Sequence, residues 1–137
     1  MAMVGPPSDC FEDLKDDLAR QTLPAAFLPE PEAARLHGDL RRRLERGQAY
    51  CWKSLDRHGL KAEAALAEVA AWPGSTVCVL LLDLVSERRA LRIERSWLRN
   101  FVDEYLDPIA ETYFVSEDRR RIVCLDHHET GHAAVLE

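Results

Sequence analysis

The chain is short of several things that would have given its chemistry away. It has only six glycines in 137 residues. None of them falls into a phosphate-cradling loop or a dinucleotide-binding pattern, and no serine sits in a nucleophile elbow. Four cysteines, Cys10, Cys51, Cys78 and Cys124, lie far apart with no CxxC pair, which excludes both a disulfide framework and a zinc ribbon. Cys78 and Cys124 sit in apolar segments and read as core fillers. Lysine is confined to Lys15, Lys53 and Lys61. The net charge of −6 argues against a nucleic-acid binder that works by neutralising phosphates. No apolar run is long enough to span a bilayer. The opening MAMVGPPSDC has neither a basic nor an apolar signal segment, so a cytoplasmic protein is expected.

What is present is ordinary for a folded protein: 47% apolar and 31% charged residues, in a length suited to one domain over residues 1–137. The organising stretch is Ser75–Val85, STVCVLLLDLV. Its abrupt ends and β-branched start predict an interior strand over Thr76–Leu84. Ala90–Arg95 alternates apolar and charged residues and reads as its hairpin partner. Ser96 then caps a helix whose broad stripe is Trp97, Leu98, Phe101, Val102, Tyr105 and Leu106.

Residues 1–8 look like a loose arm, followed by a helix to about Arg20 with Phe11, Leu14 and Leu18 inward. Thr22–Pro31 holds three prolines and cannot be helical throughout. A second helix is expected over Pro31–Arg46 along Leu36, Leu40 and Leu44, with Arg41, Arg42, Arg43 and Arg46 on a solvated face. Ala49–Leu55 fits either a strand or a helical continuation. Leu60–Trp72 predicts a third helix with Leu60, Ala64, Leu66, Val69, Ala70 and Trp72 on one side, stopped by Pro73-Gly74. Thr112–Val115 and Arg121–Leu125 read as strands, and Ala133–Leu136 as a final one. The sum is an α+β domain: a mainly antiparallel sheet with helices packed against it and a helical N-terminal part.

His128-Glu129-Thr130-Gly131-His132 matches the HExxH metalloprotease motif in letters. That motif works on a helix, where both histidines share a face. Here a strand precedes it and Gly131 interrupts it, so a turn between strands around Thr130-Gly131 is expected, with no catalytic residues, metal or cofactor. A looser, non-catalytic ion site from Asp126, His127, His128 and His132 is the better-supported of the two metal alternatives, and a hydrolase built on the HExxH letters is the least favoured function.

The remaining signal is charge. From Phe101 onward nine acidic residues stand against Arg119, Arg120 and Arg121, a net of −6. Asp103, Glu104, Asp107, Glu111, Glu117 and Asp118 are the candidate partner-binding residues, suited to capturing a basic protein. In addition, Glu111-Thr112-Tyr113-Phe114-Val115, a polar turn, the apolar Ile122–Leu125 and then His127-His128-Glu129 resemble the C-terminal third of bacterial polymorphic-toxin immunity proteins. The resemblance implies a non-enzymatic inhibitor that occludes a cognate toxin; no nucleic-acid or membrane partner is expected. The alternative is a small acidic adaptor or secretion chaperone acting as a homodimer.

Overall fold

The computed structural model describes residues 10–44, 55–80, 90–105, 112–126 and 130–135, with the backbone alone at 10–13, 43 and 44. The expected arm at 1–8, the Leu81–Leu84 part of the central strand, Leu106, Asp107, Glu111, His127, His128 and Glu129 lie outside these residues. The order is α1 (Cys10–Arg20), β1 (Ala25–Phe27), α2 (Glu30–Leu44), β2 (Arg57–Lys61), α3 (Ala62–Ala70), β3 (Thr76–Leu80), β4 (Ala90–Glu94), a 3-10 turn (Arg95–Trp97), α4 (Leu98–Tyr105), β5 (Thr112–Ser116), β6 (Arg121–Leu125) and β7 (Thr130–Val135). Among the described residues no helix is long and apolar enough to cross a membrane.

Among the described residues seven strands join one antiparallel sheet in the order β1-β4-β3-β5-β6-β7-β2. β3 is interior, pairing Val79 with Leu91 on one side and with Phe114 on the other. Strand alternation sends successive side chains to opposite faces. Val77, Val79, Leu91, Ile93, Phe114 and Val123 pack under Leu14, Leu66, Val69, Leu98 and Phe101, so α1, α3 and α4 cover one face. Cys78, Leu80, Ala90, Tyr113, Val115, Ile122 and Cys124 form a second core with Leu28, Leu36 and Leu40 of α2 and its approach. The central run is continuously apolar because helices bury both its faces. The core placement of Cys78 and Cys124 holds, and burial pushes the Cys78 thiol up.

Several local expectations change. The proline-rich Thr22–Pro31 contains the edge strand β1, which fits there because Pro24 and Pro29 flank it and leave its N–H groups intact. Leu60 belongs to β2, and α3 starts only at Ala62. Within α3, Ala65 is buried while Ala64 and Ala70 are exposed. The Thr130-Gly131 turn is instead the start of β7, which also carries His132. Gly131 is needed there for clearance, since a Cβ would stand 2.6 Å from the Cβ of Ala65 and 3.1 Å from that of Leu60. Glycine in a strand interior often marks such close approach.

The aromatic residues of the α4 region form one cluster over mid-sheet. Phe101 meets Phe114 edge-on at 6.4 Å, and Trp97 lies 5.9 Å from Tyr105. α4 is flanked by α1, through a hydrogen bond from the Tyr105 hydroxyl to the Asp17 carboxylate. On its other flank stands α3, through Arg99 donating to both Glu63 oxygens at 2.6 and 3.2 Å.

Candidate functional site

Of the acidic residues singled out by sequence, Asp103 and Glu104 are exposed on α4. Asp103 comes within 3.6 Å of Arg99, whose closer partner is Glu63. Glu117 and Asp118 occupy the β5–β6 turn and are engaged by the fold itself. One Glu117 oxygen accepts from the Ser75 N–H (3.0 Å) and from the N–H and hydroxyl of Thr76 (both 3.1 Å). Asp118 accepts from the Ser116 hydroxyl (2.6 Å) and the Arg120 N–H (3.0 Å). These contacts hold both carboxyls below their usual range, led by the Thr76 N–H for Glu117 and the Ser116 hydroxyl for Asp118. The chain enters α4 beside the same end of β3, where the Arg95 N–H bonds to the Ser75 carbonyl. Asp103 and Glu104 come about two helical turns further on.

Glu117 therefore stitches the β5–β6 turn to the start of β3, which yields a pH prediction with a definite sign. A carboxyl held low in the fold stabilises it above the ordinary carboxylate range and loses that contribution as pH falls through the folded value. Thermal melts between about pH 3 and pH 7 should show wild type losing more stability on acidification than Glu117→Gln. Parallel curves for the two proteins would refute this role.

The fold also gathers acids that the sequence kept apart. α1, α3, the 3-10 turn and α4 all cover one sheet face, and their described side chains include six acidic groups against four basic ones, a net of −2. The described side chains of α2 on the opposite face include three arginines against three acids, a net of zero. Asp16 is exposed on α1, the helix that flanks α4. Asp17 is held low by the Tyr105 hydroxyl and then by Arg20, while burial and Asp17 push Tyr105 up to about 12. The acidic helices are thus tied to each other through their own side chains. The sequence signal for this surface was the outward acidic positions of the early helices. What it could not show was that those helices share a face with α4.

The histidine-rich segment has a different geometry from its letters. His132 lies in strand β7, so the helix required by HExxH is not formed at this residue. His132 is 3% exposed and its Nε2 is 2.8 Å from Asp126 Oδ2. Its Nδ1 is 2.9 Å from Nδ1 of His58 on the edge strand β2. In the tautomer that donates Nε2–H to the carboxylate, Nδ1 of His132 is an acceptor, matched by the tautomer of His58 that donates from Nδ1. Asp126 also accepts from the Thr130 N–H at 3.0 Å, and its own N–H reaches the Thr130 carbonyl at 3.0 Å. The chain Asp126–His132–His58 joins β6, β7 and β2.

Of the four residues considered for an ion site, the structure brings Asp126 and His132 together by direct hydrogen bonding. Among the described residues no three His, Cys, Asp or Glu side chains gather in a metal-ligating group. His58 was not foreseen, and nothing in its neighbourhood in the sequence signals the contact. Its partner is 74 residues away and meets it only through the β2–β7 pairing.

No known protein family, curated protein or solved structure matches the chain.

Proposed function

We propose that this chain is a non-enzymatic, cytoplasmic binding protein that captures a basic protein partner on the face built by α1, α3 and α4. In the manner of the bacterial immunity proteins that its C-terminal third resembles, the partner is a toxin domain and the action is occlusion. The observation that carries the reading is the uneven charge of the helices on the two faces, −2 against zero among the described side chains. A concentrated field of one sign accelerates encounter with a partner of the other and disfavours acidic competitors. Asp103 and Glu104 are exposed on α4, and Asp16 is exposed on α1, the helix tied to α4 through Asp17 and Tyr105. Glu117 and Asp118 add charge at the turn that they also stabilise.

The test is capture by the product of the neighbouring gene, followed by association kinetics at two salt concentrations. Reversal of Asp16, Asp103 and Glu104 to Lys should slow association roughly tenfold or more and flatten its salt dependence, leaving the fold intact. Tight binding that ignores both the reversal and the salt would remove the electrostatic mechanism. A homodimer burying this helical face, with no toxin bound, would establish the adaptor reading in its place.

A further inference from the structure

On the opposite face, an open depression of about 770 Å³ runs along α2 and meets Arg119 of the β5–β6 turn; its lining includes Arg35, Gly38, Arg42, Glu32 and Asp39. That volume lies in the range of small-ligand sites. Arg35, Gly38 and Arg42 recur at three and four places along the helix and so share one side of it.

Two residues in this depression contradict their local structure. Gly38 is in the interior of α2, where glycine weakens a helix. Yet a Cβ there would meet nothing within 4 Å and the backbone is not left-handed, so packing does not require a glycine. Arg119 is the reverse. It has φ 63°, the only positive φ at a non-glycine among the described residues, in a turn where Gly or Asn would be the unstrained choice. A glycine where a side chain would fit and an arginine where glycine would fit face the same space. Such paired breaches of local preference are expected where a site is kept for function.

The ion pairs around the depression are loose. Glu32 is shared by Arg92 at 3.4 Å and Arg119 at 3.5 Å, and Asp39 is 3.7 Å from Arg42. Arg42 is 78% exposed and Arg119 35%. Guanidinium groups held this lightly exchange a carboxylate for a phosphate at little cost, and their fork geometry matches phosphate oxygens. The lining of α2 and Arg119 is basic by one charge, on the less acidic face of an acidic molecule. We infer that this depression binds a small phosphorylated ligand, with Arg35, Arg42 and Arg119 on the phosphate and Gly38 leaving room for it against the helix.

Pyrophosphate is the probe, titrated calorimetrically into the full chain freed of any affinity tag. Binding with a dissociation constant below about 1 mM is expected. Arg119→Gly removes the guanidinium and suits the left-handed backbone, so it should bind at least about fivefold more weakly with no loss of thermal stability. Gly38→Leu should weaken binding similarly by filling the depression, with a melting temperature equal to or above wild type. Arg99→Gln removes one positive charge from the opposite face and should leave binding unchanged. The inference is overturned by no binding at millimolar pyrophosphate, by Arg119→Gly binding as wild type, or by Arg99→Gln weakening binding as much as Arg119→Gly does. Should Gly38→Leu prove unstable, Arg119→Gly against Arg99→Gln decides alone.

Discussion

Phe114→Ala should destabilise the protein by about 3–5 kcal/mol, the largest effect expected of a single truncation here. Phe114 is fully buried at the middle of β5. It pairs with Val79 on one side and Val123 on the other, and its ring meets Phe101 of α4 edge-on. Truncation would open a void where strand and helix layers touch, and neither neighbouring strand can close it without breaking register. Against a total stability of roughly 5–15 kcal/mol, the loss is a large fraction. Urea unfolding followed by tryptophan fluorescence measures it directly. A loss below about 1 kcal/mol would mean that the site collapses freely and that the α4 face is loosely packed. Leu80→Ala, at a fully buried position on the α2 face, should cost about 2–5 kcal/mol and tests the second core in the same way.

The other large effect is expected at Asp126. Its side chain serves the buried His132 Nε2 and the Thr130 N–H at once, and the residue is only 7% exposed. Asp126→Ala removes both acceptors and leaves two donors to be solvated or orphaned, for a loss of about 3 kcal/mol. His132→Ala should cost a similar amount, but the double variant should cost much less than the two added together, because each single change strands the other member of the pair and the double change strands neither. His58→Ala, at the exposed end of the chain, should cost about 1 kcal/mol or less. Additive losses in the double variant would show that Asp126 and His132 act independently and that their 2.8 Å contact contributes nothing measurable.

The parts of the fold that could be read from sequence are those whose periodicity is strong and local. The Thr76 strand, its Ala90 hairpin partner and the Trp97–Tyr105 stripe each declare themselves within ten residues. β2 does not. RHGLK is polar, interrupted at Gly59 by a left-handed backbone (φ 70°) and a register shift, and it is a strand only because β7 accepts it at the sheet edge. α3 is shorter than expected, with Leu66 and Val69 inward as expected but Ala65 inward in place of Ala64 and Ala70. In an alanine-rich helix, Ala64, Ala65 and Ala70 carry almost no signal of which side faces inward, and contact with Gly131 of β7 decides it. Thr130-Gly131 has turn composition, yet the glycine serves close packing. The acidic surface was half visible, with Asp103 and Glu104 evident and the contribution of α1 and α3 hidden by distance along the chain. The histidine contact was wholly non-local.

The order of strands across the sheet also sets the order in which the sheet can be completed as the chain is synthesised. β3 to β7 follow one another closely and pair among themselves. The two earliest strands sit at opposite rims, and each must wait for a later partner: β1 for β4, and β2 for Gly131 and Ala133 of β7. Until β7 has left the ribosome, β2 has no strand to join and the apolar side of α2 has only part of its platform. Long-range pairings of this kind slow folding and prolong the exposure of sticky intermediates. Premature termination before Thr130 would therefore cost more than one strand, because it would strand β2 at the far rim along with the missing β7.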